Sequence, residues 1–387
     1  MGRRAVVVVL DACGAGALPD AADYGDAGAN TLGHLAQAVG GLELPTLAAL
    51  GLGSILPLDG VPPAHAPVLH GRLHAQGPGK DSTSGHWELM GVVARAPAPT
   101  WPDGFPPEVV AAIERIAGRT VLCNAPSDGL AAIETFGPRA LADGALVVYT
   151  SQDSVLQIAA HEAVVPPAEL HAICARVREL MQGERAVGRV IARPFDGGEG
   201  GAPFERTPRR RDYALPPPSR SHLLALQEAD VPVHAVGKVA QLFADVGVDA
   251  AYPGATNADA IAMTTSLLEE LEQGLVFTNL IETDQVYGHR NDVAGFHAAL
   301  REIDAAVARW RGLLGPDDML VLTADHGCDP LHPGTDHTRE HAPLLAAFDG
   351  HGGRRHDGPL ADVGASVVRW LTGRDAPAEL PGAPFVP

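Results

Sequence analysis

The chain has 387 residues, enough for a large core and for two domains. With 46% hydrophobic and 19% charged residues it has the composition of a globular protein in water, and a formal charge of −19 excludes the basic footprint of a nucleic-acid binder. That charge leaves room for a phosphorylated small molecule, because a local cluster of cations can outvote the global field and acids that ligate a metal lose theirs.

In chain order, "AVVVVLD" (5–11), "ALVVYT" (145–150), "GRVIAR" (188–193), "VPVHAVGK" (231–238), "LVFTNLIETD" (275–284), "DMLVLTAD" (318–325) and "LLAAF" (344–348) read as buried strands. Helical stretches lie between them, such as "AGFHAALREIDAAVARWRGLL" (294–314). This alternation predicts an α/β fold with a mostly parallel sheet and helices on both faces. The N-terminal apolar run from Ala5 to Leu10 is shorter than the roughly 7–15 residues of a signal peptide. No segment approaches the about 20 apolar residues of a membrane span. Cys13, Cys123, Cys174 and Cys328 show no paired spacing and read as reduced thiols. The expectation is a cytoplasmic protein with no membrane partner and no nucleic-acid partner.

Two Pro-rich stretches, "ARAPAPTWPDGFPPE" (94–108) and "DYALPPPSRS" (212–221), punctuate the chain. They predict a core domain made of 1–97 and 217–387, interrupted by a smaller inserted α/β domain over 98–216.

Asp11, Asp284 and Asp325 each follow an apolar run, where a strand leaves its sheet and where open α/β sheets bind ligands. Any one of them alone also suits a helix N-cap or a turn. The stretch "TADHGCDPLHPGTDHTREH" (323–341) adds His326, His332, His337 and His341, and His289 follows Asp284 by five residues. Carboxylates mixed with imidazoles suit Mn²⁺ or Zn²⁺, and six ligands suit a metal pair about 3.5–4 Å apart. A second stretch, "GPGKDSTSGHWELMG" (77–91), offers Ser82, Thr83 and Ser84 at the start of a helix-like run. Hydroxyls there can cap the helix, or can meet a phosphate and serve as a nucleophile.

"VLDACGAGALPDA", "GKDSTSGHWE", "VYTSQDSVLQIAAHE", "GRVIARPF", "NLIETDQVYGHRND" and "TADHGCDPLHPGTDHTRE" occur in this order and resemble the phosphopentomutase family of the alkaline phosphatase superfamily. The resemblance runs from Val6 to about Trp370 and implies an alkaline-phosphatase-like core with an inserted cap. It implies that Asp284, His289 and His337 hold one Mn²⁺ and that Asp11, Asp325 and His326 hold the other, other divalent cations being possible. It makes Ser82 the phosphorylated residue, where the family position is usually Thr, with Thr83 as the alternative. Ser151 and Val155 would contact the sugar, and Arg189 and Arg206 the phosphate that stays in place, while Lys238, at the end of "VPVHAVGK", suits either a catalytic cation near the metals or an ordinary strand-end lysine. Cys328 stands where Asn is common. Asp329, His332 and His341 would shape the loop or support the ligands from behind. The implied reaction interconverts α-D-ribose 1-phosphate and D-ribose 5-phosphate, and the 2-deoxyribose pair, in nucleoside and pentose phosphate metabolism. A sugar bisphosphate is the intermediate and the candidate primer of the nucleophile, and the inserted domain is expected to exclude water.

Overall fold

A computed structural model describes residues 2–96, 99–151 and 154–387. It divides into two compact units, Met1–Ala96 with Pro216–Pro387, and Pro97–Leu215. The expected boundary between 97 and 98 falls on residues outside those described.

The strands are β1 (Arg4–Leu10), β2 (Leu69–His74), β3 (Val121–Pro126), β4 (Leu146–Thr150), β5 (Val155–His161), β6 (Arg189–Asp196), β7 (Glu205–Arg206), β8 (Arg211–Ala214), β9 (Val233–Val236), β10 (Ala250–Tyr252), β11 (Gly274–Leu280), β12 (Asp318–Thr323), β13 (Ala342–Ala347) and β14 (Gly358–Pro359). In the first unit they form an eight-stranded sheet in the order β10-β9-β11-β1-β12-β13-β2-β14. Strands β10, β9, β11, β1 and β12 run parallel, whereas β13 is antiparallel to both β12 and β2.

The central position of β1 follows from its sequence. Ala5 through Val9 are all fully buried, so neither face of the strand can meet water. The long helix Val293–Leu313 buries Phe296, Leu300, Ile303, Val307 and Trp310, the spacing of one helical face. Its N-cap Asp292 accepts a hydrogen bond from the Gly295 N–H. The helix Asn257–Glu270 starts with a capping box between Thr256 and Asp259.

The second unit is a smaller mixed sheet in the order β3-β4-β5-β6-β7, with β8 also on β6. Strand β4 shows why it is buried on both faces. Leu146 and Val148 join a core with Ile113, Leu156 and Val190, while Val147 and Tyr149 join one with Ile133, Ala159 and Phe195.

In the first unit, His222 opens the helix His222–Glu228 and is fully buried. Neither ring nitrogen has a hydrogen-bond partner. The ring fills space left by two glycines: a Cβ on Gly91 would come within 2.5 Å of it, and one on Gly364 within 2.4 Å. Burial pushes this imidazole down to about 4. The unfolded chain takes up a proton near pH 6.5 that the folded state refuses, so His222 costs no stability above that pH and an increasing amount as pH falls toward 4. The loss should reach about 3 kcal/mol. Urea unfolding of wild type and His222→Leu at pH 7.5 and pH 4.5 measures it. The variant should lose clearly less stability on acidification than the wild type.

Candidate metal and phosphoryl-transfer site

Strands β11, β1 and β12 are neighbours in the sheet, with Leu10 beside Leu280 and Val9 beside Thr323. Neighbouring strands lie about 4.8 Å apart. Three acids that follow their ends therefore arrive together. Asp11 follows β1 directly, Asp284 lies in a single π-helical turn, Thr283–Tyr287, just past β11, and Asp325 follows β12. All three are nearly inaccessible to water. The chain turns sharply at Ala12, whose φ of 64° is left-handed without glycine. That turn aims the Ala12 N–H at Asp325 Oδ1, 3.2 Å away.

Imidazoles fill the spaces between the acids. His326 Nε2 is 3.4 Å from both Asp11 Oδ1 and Asp325 Oδ2. His289 Nε2 and His337 Nε2 lie 3.5 Å and 3.4 Å from Asp284 Oδ1. His289 Nδ1 donates to the Thr335 carbonyl, and His326 Nδ1 donates to that of Gly327, so each turns Nε2 inward. Asp284 raises His289 to about 9 against the opposing effect of burial. Burial pushes His326 down, but Asp325 and Asp11 outweigh it and hold the ring well above its ordinary value. Burial and the neighbouring carboxylates Asp325 and Asp284 push Asp11 up. Burial would push Asp284 up too, yet the imidazoles of His289 and His337 hold it below the usual carboxylate range.

This ground suits cations. Asp284 Oδ1, Asp325 Oδ2 and His337 Nε2 are buried atoms with no hydrogen-bond partner, their nearest polar neighbours being off the hydrogen-bonding directions. Ligand atoms of Asp11, Asp325 and His326 lie within 4.8 Å of one another, as do those of Asp284, His326 and His337. Oxygen and imidazole donors in two adjoining groups fit divalent ions.

The helix Ser82–Leu89 ends on this cluster. Asp81 caps it, accepting from the Ser84 N–H at 3.1 Å and the Ser84 hydroxyl at 2.7 Å. With Ser84 occupied, Ser82 Oγ lies 3.2 Å from His326 Nε2 and 3.4 Å from Asp11 Oδ1. The Thr83 hydroxyl makes no such contact. The helix comes so close that a Cβ on Gly85 would sit 2.4 Å from the Asp325 carbonyl oxygen. Lys238 donates to Gln285 Oε1 at 2.8 Å, next to Asp284.

Two supporting residues escaped the sequence reading. His86 is buried, its Nδ1 2.8 Å from the Ser82 carbonyl and 3.1 Å from Asp325 Oδ2. Asn279 donates to Asp11 Oδ2 at 2.9 Å. The "GHWE" run quotes His86 without a role, and Asn279 is one polar residue inside an apolar strand, so a buried polar position in β11 was the available signal. Asp329 accepts from the Asn30 and Leu331 N–H groups and from His34 Nδ1, which makes it a loop-shaping residue. The His332 N–H donates to the Asp329 carbonyl, and His341 has a buried Nδ1 without a partner.

The second unit has an open cavity of about 490 Å³ whose lining includes Ser151, Gln157, Arg193 and Arg206. Arg193 donates to Gln157 Oε1 at 3.1 Å. The N-terminus of the helix Gly129–Asp143 borders the cavity, with N-cap Asp128 and Gly129 in its wall. Val155 is buried, and Arg189 is its register partner on β6. Arg189 lies 3.5 Å from Asp212 Oδ2 and is not part of the cavity lining. The structure thus gathers Ser151 and Arg206 with Arg193, a residue the sequence reading passed over, and leaves Arg189 and Val155 outside that group.

A family model described as the metalloenzyme superfamily matches residues 3–373. The phosphopentomutase of Anaeromyxobacter dehalogenans (strain 2CP-1 / ATCC BAA-258) is 48% identical over 96% of each chain. The chain belongs to the phosphopentomutase family. That of Caldanaerobacter subterraneus subsp. tengcongensis is 44% identical over 95% of this chain and 94% of its own. A solved phosphoglycerate mutase of Leishmania mexicana covers 99% of this chain and 97% of its own at a TM-score of 0.52 and 14% identity, a likeness of fold alone. The α/β architecture is therefore alkaline-phosphatase-like. As a phosphopentomutase-family member the protein is an isomerase acting on pentose phosphates, and superfamily membership together with the ligand groups supports divalent metal use. No helix of the described residues is long and apolar enough to cross a membrane.

Asn279→Ala should leave Asp11 without its amide partner and weaken divalent-cation binding, probed with Mn²⁺, about 10–100-fold. Equilibrium dialysis against Mn²⁺ measures this directly, and unchanged affinity would remove Asn279 from the site's support.

Proposed function

We propose that the enzyme interconverts α-D-ribose 1-phosphate and D-ribose 5-phosphate, and the corresponding 2-deoxyribose phosphates, through a phosphorylated Ser82 and a sugar bisphosphate. The observation that carries this reading is the placement of Ser82 Oγ at a helix N-terminus, 3.2 Å from His326 Nε2 and 3.4 Å from Asp11 Oδ1.

Asp284, His289 and His337 would hold one Mn²⁺, and Asp11, Asp325 and His326 the other. When bound, two such cations neutralise charge on transferring oxygens and favour the deprotonated form of an attacking hydroxyl. Ser82 gives its phosphoryl group to the free hydroxyl of the bound sugar phosphate. The P–O bond to Oγ breaks, the P–O bond to the sugar forms, and the proton lost by the sugar hydroxyl is matched by one gained at Oγ. The bisphosphate then returns its other phosphate to Ser82 by the reverse chemistry. His86 holds the first turn of the Ser82 helix against Asp325. Lys238, bonded to Gln285, adds a positive charge beside the ligand Asp284.

The phosphate that stays in place needs cations of its own. Arg206 meets this need together with Arg193, whose planar forks suit phosphate oxygens, and Arg189 lies four residues earlier on the same strand as Arg193. Ser151 would contact the sugar, with Val155 shaping the strand behind it. The second unit, 98–216, is thus the substrate-binding domain of the proposal, and 1–97 with 217–387 the catalytic core.

A coupled assay with ribose 1-phosphate and Mn²⁺, following ribose 5-phosphate and free phosphate together, tests the reading. Ribose 5-phosphate should form without comparable free phosphate, and Ser82→Ala should lower the rate by at least about 10³-fold while Thr83→Ala does not. Free phosphate as the main product would identify a phosphatase instead. Arg206→Ala should raise KM about 10–100-fold, the scale of a lost charged hydrogen-bonding partner, with a smaller change in kcat.

A further inference from the structure

Cys328 has no part in the reaction as described, yet it sits against the ligands. Its side chain is buried, and Sγ lies within 4.8 Å of ligand atoms on both Asp284 and His289. The thiol also lies 3.6 Å from the Asp336 carbonyl, on the loop that carries His337. A second observation points to an ion at the same place. Asp284 is 6% exposed and its Oδ1 has no hydrogen-bond partner, although His289 Nε2 and His337 Nε2 are 3.5 Å and 3.4 Å away. Three donors therefore lie together: a carboxylate oxygen of Asp284, an imidazole nitrogen of His289 and the Cys328 sulfur.

We propose that Cys328 joins Asp284 and His289 as a ligand and makes their position a site for thiophilic divalent cations such as Zn²⁺ or Cd²⁺. This rests on the metal-site reading above and adds the sulfur to it. A set of one oxygen, one nitrogen and one sulfur, with a fourth position left for water, suits tetrahedral thiophilic ions, whereas a hard ion such as Mn²⁺ gains little from sulfur. On binding, the metal–sulfur bond forms and the S–H bond breaks, with the proton released to solvent. His289, whose side chain is 37% exposed, lies on the solvent side through which an ion can enter. The consequence is selective: a thiophilic ion competes with Mn²⁺ at one of the two positions only, because Asp11, Asp325 and His326 have no sulfur in their group.

The test is a Cd²⁺ titration of the metal-stripped protein, read by the ultraviolet sulfur-to-cadmium charge-transfer band, by proton release and by bound-metal analysis. Wild type and Cys13→Ser should show the band and Cys328→Ser should not, with Cd²⁺ affinity in that variant lowered at least about tenfold. Circular dichroism and retained Mn²⁺ uptake show that Cys328→Ser is folded. Cd²⁺ uptake without the band, or a band that survives in Cys328→Ser, overturns the sulfur ligand and leaves the carboxylate–imidazole site standing. Uptake of neither Cd²⁺ nor Mn²⁺ by wild type overturns both.

Discussion

Three carboxylates at the ends of three adjoining parallel strands are the constraint around which the first unit is arranged. Their burial leaves water little part in screening them. Asp11 and Asp325 offer oxygens within 4.8 Å of one another, where two like charges at an effective dielectric of about 20 cost at least about 3 kcal/mol. The neighbourhood answers with everything positive or proton-donating that the backbone can reach. Imidazoles of His326, His289 and His337 enter between the acids, the Ala12 N–H and the Asn279 amide take two of their oxygens, and His86 faces a third. The buried oxygens and nitrogen still without partners are the part of this compensation that a divalent ion supplies.

The same economy of charge fixes the segment that carries Ser82. Glu88, buried in the helix Ser82–Leu89, accepts the Gln76 and Gly77 N–H groups and so closes the loop preceding Ser82 onto its own helix. Burial raises this carboxyl, and the two N–H donors oppose the shift. Arg339 donates to the Gly79 carbonyl and to Asp20. Lys80 lies 3.1 Å from Asp26 and 3.5 Å from Asp336, beside His337. The loop bearing Ser82 and the loop bearing His337 are thus tied together by ion pairs, so a shift in one is felt by the other.

Much of this was legible in the sequence for a definite reason. Strands buried on both faces read as unbroken apolar runs, and β1, β11 and β12 are of that kind, so the acids that end them stood out. Strand β2 was not legible because His70, Arg72 and His74 interrupt its apolar pattern. They do so where it pairs with β13 and β14 on the far side of the sheet. Strand β5 is apolar enough but stands within a motif that drew attention for its chemistry. The ligand set could be assembled only from strand ends and resemblance, since nothing in a one-dimensional pattern states that β11, β1 and β12 are neighbours. His86 and Asn279 act through contacts across 200 residues or more, which no local pattern encodes.

The cationic cavity of the second unit shows how partners, not residue type, decide which arginine is available. Arg189 and Arg193 are four residues apart on β6 and so share a face. Arg189 faces Asp212, which also takes a bidentate pair from Arg210, so its charge is already answered by a carboxylate. Arg193 is bonded instead to the neutral Gln157, and among the described residues neither it nor Arg206 forms an ion pair. Burial first, and then the nearby cations Arg210 and Arg206, lower Arg193 from its ordinary value. Two guanidinium groups beside a helix N-terminus form a surface that suits an anion. A phosphate there would meet both guanidinium forks and the N-terminus of the helix, which is the part the proposed function gives it.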